Sequence, residues 1–348
     1  MTGLPILDLR DYTAGGNRAG AFVDRLRDVV HAIGFFQLVG HGVDPTVLAD
    51  AAEVASQFFE LPDSDRFEID NVKSPQFRGY TRFGHEHTNG LVDLRDQIDI
   101  GREQPAKAIG DDEPAWLRLR GPNLWPSALP SLRPVMTSLM EQLETVGATL
   151  LGAMCEALGL PPDTFADAVS PPELLLKVIR YRTPEDSAAS NTPGNTPGNT
   201  QGVGAHRDTG FLSFVYQHEV GGLQVDRDGS FVDVPVLRSA FVVNIGEMFQ
   251  LVTRGYFKAT VHRVVSPPPG VDRISLAYFF NPKLEATLAP IDLPAELAPS
   301  ATGGDSVDPS NPILANYGDN SLKVRLRAHP DVAEVHHADL LASGRWSV

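Results

Sequence analysis

The sequence predicts a mainly β fold with supporting helices: a sandwich, barrel or jelly roll packed against helical segments. Two observations carry this prediction. After Pro171 the chain breaks into short β-rich runs, "LLLKVIRYR", "GFLSFVYQ", "GGLQVDRDGSFVDVP", "SAFVVNIG", "ATVHRVVS" and "RISLAYFF", separated by Gly, Pro or Asp clusters. Before Pro171, apolar residues recur at helical spacing in three long stripes.

Taken in order, "PILDL" reads as a short first strand. Phe22, Leu26, Val29, Val30 and Ile33 then follow helical spacing from Arg18 to Ile33, and Gly34 ends that helix. "FFQLVG" reads as a buried strand and "HGVDP" as a turn. Val47, Ala51, Val54, Ala55 and Phe58 form the second stripe, up to "LPDSDR". Residues 70–130 are rich in Gly and Pro, with a strand signal at "DQIDIG". Leu132, Val135, Leu139, Leu143, Val146, Leu150, Met154 and Leu158 mark one long helix with a single apolar face, closed by Gly159. "PDVAEVHHADLLA" reads as a terminal helix. No linker signal separates residues 1–130 from 131–348, so one intertwined unit is expected, with the β core at about residues 171–285.

Composition narrows the partners. With 348 residues, 42% of them hydrophobic and 21% charged, the chain can bury a large core. A formal charge of -15 argues against nucleic acid or an anionic membrane as the main partner, because both are polyanions. Cys155 is the only cysteine, which rules out an intrachain disulfide and a multi-thiolate zinc site and suits a reducing, cytoplasmic compartment. No targeting signal and no membrane-spanning apolar run is visible, and a monomer is expected.

The chemistry concentrates in "GAHRDTG". His206 and Asp208 stand two positions apart, so on a strand both side chains share a face. "ATVHRVVS" offers His262 as a third ligand. Two His and one carboxylate on one face of an octahedral ion leave three positions open, the arrangement that non-haem Fe(II) oxygenases use; structural zinc closes its shell with four protein ligands. Arg273 and Ser275 repeat the i, i+2 pattern in "RISLAYFFNP", a guanidinium fork beside a hydroxyl. Tyr181 in "VIRYR" offers another hydroxyl.

These motifs, with "IGFFQLVGHGVD", "FRGYTRFGHEHTNGLVDLRDQIDIG", "GPNLWP" and "VVNIGEMFQLVTRGYFKATVHRVV" in the same order, resemble the iron- and 2-oxoglutarate-dependent oxygenase superfamily in its isopenicillin N synthase-like branch. The resemblance covers nearly the whole chain. It implies a distorted double-stranded β-helix (jelly roll), with Fe(II) on His206, Asp208 and His262. It implies that Arg273 and Ser275 grip the outer carboxylate of 2-oxoglutarate, with Tyr181 beside them; where plant members commonly carry an Asn, this chain has Ile179. The implied activity is hydroxylation, desaturation or cyclisation of a small molecule with O2 through a ferryl species, giving succinate and CO2. Specialised metabolism is the implied setting. A 2-oxoglutarate-independent oxidase of the isopenicillin N synthase type and a catalytically silent jelly-roll binding module are the alternatives.

Candidate substrate contacts are His85 in the loop "GHEHTNG", Arg82 and Phe83 just before it, and Phe211 and Phe279 in the catalytic half; Arg82 and Arg95 could meet a substrate carboxylate, or simply face water. The repeat "NTPGNTPGNTQG" at 191–202 has nothing to bury and reads as a surface loop at the rim of the site, either a lid or a passive insertion.

Overall fold

The computed structural model describes residues 3–88, 90–107, 109–110, 112–183, 200–303 and 312–344. The repeat from Asn191 to Asn199, and with it the choice between lid and insertion, lies outside the described residues.

Strand β1 (Ile6–Asp8) leads through α1 (Leu9–Thr13) into α2 (Gly16–Ala32), which buries Phe22, Val23, Leu26, Val29 and Val30. Gly34 follows at φ +71, and a Cβ there would collide with the carbonyl oxygen of Lys258, so both the backbone and the packing demand glycine. The chain then enters β2 (Phe35–Val39). Asp44 caps α3 (Pro45–Glu60) by accepting the Thr46 amide N–H at 2.8 Å, with Pro45 in the first turn. The short α4 (Asp63–Arg66) precedes β3 (Gly79–Thr81), the hairpin strands β4 (His87–Thr88) and β5 (Leu91–Val92), and β6 (Arg95–Gly101). The long stripe forms α5 (Leu132–Ala157).

The catalytic half runs β7 (Glu173–Tyr181), β8 (Gln201–His206), β9 (Leu212–Gln217), β10 (Leu223–Arg227), β11 (Ser230–Asp233) and β12 (Phe241–Ile245). A short α6 (Glu247–Val252) precedes β13 (His262–Val265) and β14 (Arg273–Asn281). The chain closes with α7 (Tyr317–Ala328), α8 (Pro330–His336) and α9 (Ala338–Ala342). The single terminal helix expected from "PDVAEVHHADLLA" is therefore two helices broken at His337. That imidazole is buried, stacks on Phe77 at 5.0 Å and hydrogen-bonds the Pro75 carbonyl, while His336 reaches the Val72 carbonyl. Tertiary anchoring of the two rings overrides helix continuity.

Two sheets face each other. The large one has the order β1-β2-β12-β9-β14-β7-β6-β3, and the small one β11-β10-β13-β8. Strand alternation divides the large sheet between two tasks. Leu174, Leu176 and Val178 of β7 and Leu276, Tyr278 and Phe280 of β14 pack outward with α2, α3 and α5 in the main core. Their neighbours one residue along point inward, where Ile179, Tyr181 and Ala277 join Val203, Leu223, Val225 and Val264 of the small sheet. This is the jelly roll, open at one end to a cavity. No helix among the described residues is long and apolar enough to cross a membrane.

Candidate active site

His206 ends β8 and His262 begins β13, and the two are direct partners in the antiparallel register. Asp208 follows two residues after His206. One ligand atom from each of the three residues comes together within 4.8 Å, the one such cluster among the described residues. Asp208 Oδ1 lies 3.5 Å from His206 Nε2 and 3.8 Å from His262 Nε2.

The surroundings aim these atoms inward. His206 Nδ1 hydrogen-bonds the Gly204 carbonyl at 2.8 Å, and His262 Nδ1 the Thr260 carbonyl at 3.3 Å. A carbonyl accepts only, so each Nδ1 carries the proton and each Nε2 keeps its lone pair for a metal. Asp208 Oδ2 accepts from Ser213 Oγ at 2.5 Å and Asn244 Nδ2 at 2.8 Å, which leaves Oδ1 facing the histidines. Burial pushes the His262 pKa down to about 4, with His206 nearby adding to the fall. Burial is also the largest influence on His206 and works against its charge, but the Asp208 carboxylate and the Gly204 carbonyl together outweigh it and the pKa is raised. Burial opposes ionisation of Asp208, and the two histidines more than offset it, holding the carboxyl well below its ordinary value. A divalent cation suits this set: one anion and two imidazole lone pairs, oriented and otherwise unused.

A second constellation lies deeper between the sheets. Arg273 and Tyr181 are direct cross-strand partners, and so are Ser275 and Ile179. Arg273 is fully buried, with its guanidinium 4.6 Å from the Tyr181 ring centroid. It donates to the Val220 carbonyl at 3.2 Å, Gln217 Oε1 at 3.3 Å and Ser275 Oγ at 3.3 Å. None of these acceptors is charged, and burial lowers the Arg273 pKa. A buried cation without a carboxylate costs several kcal/mol or more unless an anion joins it. The site therefore fits an anionic guest such as the outer carboxylate of a dicarboxylate.

Both constellations line one cavity of about 590 Å³, a size suited to small molecules. Leu175, Val215 and Phe279 give it apolar wall, and Glu86, Arg95 and Lys177 give it charge. Of the candidate substrate contacts, Phe279 lines the cavity. Phe211 does not: it is fully buried in the outer core, stacked on Phe249 at 4.7 Å and edge-on to Phe165 at 5.6 Å. It precedes β9 and turns towards the helical side, away from the metal end. Arg82, Phe83 and His85 also stand outside the lining. Arg82 is an ion-pair partner of Asp70 and covers the Phe67 ring, Phe83 lies under Arg182, and His85 is 3.7 Å from Asp331.

Arg95, weighed from the sequence as a contact for a substrate carboxylate or a surface residue, is buried on the cavity, within an ionic wall that the sequence did not reveal. Arg95 Nη2 lies 3.1 Å from both Asp93 and Glu86, Glu86 lies 3.0 Å from Lys177, and Lys177 lies 3.6 Å from Asp99. Asp99 in turn contacts Arg325 of α7. Along this chain of contacts the sign alternates, so each charge is opposed by its neighbour. The available signal was Arg95, Gln97 and Asp99 at alternate positions of one strand.

Residues 175–282 match the family described as the 2OG-Fe(II) oxygenase superfamily, and residues 4–128 match the N-terminal region described for a non-haem dioxygenase in morphine synthesis. A 2-oxoglutarate-dependent dioxygenase of a Dothideomycetidae species is 31% identical over 347 residues, covering 95% of this chain and 91% of that protein. A 2OG-Fe(II) oxygenase family protein from Caulobacter crescentus, of known crystal structure, is 26% identical with a TM-score of 0.72, covering 94% of this chain and 99% of that one. A Neurospora crassa protein crystallised in complex with alpha-KG shares the fold at a TM-score of 0.73 and 23% identity, covering 92% of this chain and 95% of that one.

Proposed function

The chain belongs to the 2OG-Fe(II) oxygenase superfamily, and from that membership we propose that His206, Asp208 and His262 hold its iron while Arg273, Ser275 and Tyr181 receive the outer carboxylate of its 2-oxoglutarate. The protein is a 2-oxoglutarate-dependent dioxygenase that requires Fe(II) and oxidises a small molecule. The observation that carries the assignment of residues is Arg273: a buried guanidinium with no acidic partner among the described residues, on the same cavity as the oriented triad.

Bound Fe(II), with O2 and 2-oxoglutarate, supplies the C–H oxidation and leaves succinate and CO2. The chain positions and shields. Asn244 and Ser213 fix the rotamer of Asp208, and the Gly204 and Thr260 carbonyls fix the two imidazoles. Arg273 offers a planar fork that one carboxylate can fill with two hydrogen bonds. Ile179 stands opposite Ser275 and adds apolar wall, so the polar grip rests on Arg273, Ser275 and Tyr181. Leu175, Val215 and Phe279 exclude water from the reacting carbon.

The N-terminal region and the catalytic core form one intertwined unit in this reading, supported by β1, β2, β3 and β6 lying in the same sheet as β7 and β14. The lone buried Cys155 is in keeping with a cytoplasmic setting. Succinate tests the activity: Fe(II), O2 and 2-oxoglutarate give succinate with the intact chain. An Arg273→Gln chain that makes succinate with an unchanged KM for 2-oxoglutarate refutes the carboxylate assignment.

A further inference from the structure

We propose that the substrate carries an amino-acid head group, a carboxylate and an ammonium side by side, and that Arg78 and Glu173 receive it. The inference rests on the oxygenase reading above and names the substrate class of that same cavity.

Arg78 is buried and lines the cavity. Its guanidinium lies over Gly101, in space that a Cβ at that position would take, so the glycine leaves room for this pose of the side chain. Asn123 pins that glycine from both sides: its Oδ1 accepts the Gly101 N–H at 2.8 Å, and its Nδ2 donates to the Gly101 carbonyl at 2.9 Å. The seat is therefore built, not incidental.

Yet the guanidinium is poorly used. Among the described residues its one hydrogen-bond partner is Glu173, from Nη2 to Oε1 at 3.4 Å, and the buried Nε has none. Well-formed charge-assisted pairs close to about 2.7–2.9 Å. The neighbouring Glu86–Lys177 pair, at 3.0 Å, comes near that distance. Burial raises the Glu173 pKa, and Arg78 only partly offsets this. Two ions have left water without gaining good geometry, a net cost that a completing ligand removes.

The position suits the head of a substrate. Tyr181 and Arg273 pair at one end of β7 and β14, and Glu173 and Asn281 pair at the other. Leu175 and Phe279 stand one inward-facing step before Glu173, about 7 Å along the strand, and Ser213, which holds Asp208, pairs with Phe279. The open ion pair thus lies beyond the metal, on the side away from Arg273.

Charge selects the guest. An apolar guest seals the loose pair from water without completing it. A simple carboxylate satisfies Arg78 but sets a second anion against Glu173. A simple amine satisfies Glu173 but adds a cation near Arg78 and Arg325, whose charges already oppose each other. A zwitterion gives each ion an opposite partner and brings in no net charge.

The test uses L-arginine, L-lysine, L-leucine, L-methionine and L-phenylalanine, each beside the acid lacking its amine and the amine lacking its carboxylate. Succinate release is measured above the substrate-free rate. The proposal expects at least one amino acid to stimulate release about tenfold or more while its two truncated counterparts do not, since unpaired buried polar groups reject such analogues strongly. Arg78→Lys, which keeps the charge but loses the fork, and the isosteric Glu173→Gln each raise the KM for that amino acid about tenfold or more. The visible absorption band given anaerobically by Fe(II) and 2-oxoglutarate reports whether the metal end of each variant is intact. Equal stimulation by a truncated counterpart, no response to any amino acid, or an unchanged KM in both variants overturns the head-group assignment. Loss of the band and of succinate in the unmodified chain instead overturns the oxygenase reading itself.

Discussion

Asn244 Nδ2 donates a 2.8 Å hydrogen bond to Oδ2 of Asp208, and with the Ser213 hydroxyl it sets which carboxylate oxygen faces His206 and His262. Asn244 is itself buried on β12, so the bond is made in a low-dielectric surrounding where no water replaces it. Asn244→Ala leaves Ser213 alone to hold that oxygen and loosens the carboxylate. Groups in this supporting role typically contribute about 10- to 100-fold in metal affinity, and Fe(II) binding is expected to weaken by that factor. Anaerobic titration with Fe(II), or with Co(II) as a redox-stable probe, measures it; an unchanged affinity removes Asn244 from the account.

Arg273 gives a second prediction. Arg273→Lys keeps the positive charge but loses the planar fork that meets a carboxylate with two bonds. Losing one charge-assisted hydrogen bond costs about 1.5–3 kcal/mol, so the KM for 2-oxoglutarate is expected to rise about 10- to 100-fold. Steady-state kinetics with 2-oxoglutarate varied at saturating Fe(II) checks this.

His329 makes stability depend on pH. It is buried where α7 meets α8, facing Glu86, Asp99, Lys177 and Arg325, with Asn71 3.4 Å from its Nδ1 and the Phe77 ring beside it. Burial lowers its pKa from 6.5 to about 4. Below about pH 6.5 the unfolded chain takes up a proton that the folded chain refuses, so stability falls as pH drops from about 6.5 to about 4. Between pH 7 and pH 5 the loss from this one group is about 2 kcal/mol. Urea unfolding at the two pH values, compared with His329→Gln, isolates it: the variant is expected to lose that much less.

Gly147 sets helix propensity against packing. Alanine favours an exposed helix interior by about 1 kcal/mol over glycine. Here a Cβ falls 2.6 Å from Cδ2 of the buried Phe280 ring, where α5 crosses β14. Overpacking of this kind costs about 1–3 kcal/mol, so packing wins and Gly147→Ala is expected to destabilise the chain by about 1–2 kcal/mol. Equilibrium unfolding in urea measures the sign.

The clustering of His206, Asp208 and His262 was legible because His206 and Asp208 stand two positions apart and His262 sits in a short β-rich run. The meeting of Arg273 and Ser275 on one face of β14 was legible from the same two-residue spacing. The helices followed their apolar stripes, and α2 and α5 fall within a few residues of the expected bounds. The ionic wall was not legible, because its members come from separate segments and Arg, Lys, Asp and Glu ordinarily face water. Asp96 and Arg180, cross-strand partners, pair on one face of β6 and β7, while Asp99 and Lys177, also cross-strand partners, pair on the other. Charges thus occur on both faces of "RDQID", which hides the inward set behind what reads as a polar strand. Phe211 misled for the converse reason: its closeness in sequence to Asp208 does not say which way a residue ahead of β9 turns.

The central claim is that His206, Asp208 and His262 form the iron site on which 2-oxoglutarate is bound from the Arg273 side. Anaerobic addition of Fe(II) and 2-oxoglutarate, followed by visible absorption, tests it most directly. The expected result is a charge-transfer band that needs both additions, saturates at one Fe(II) per chain and is abolished in His206→Ala. An undiminished band in His206→Ala, or no band in the unmodified chain, contradicts the claim.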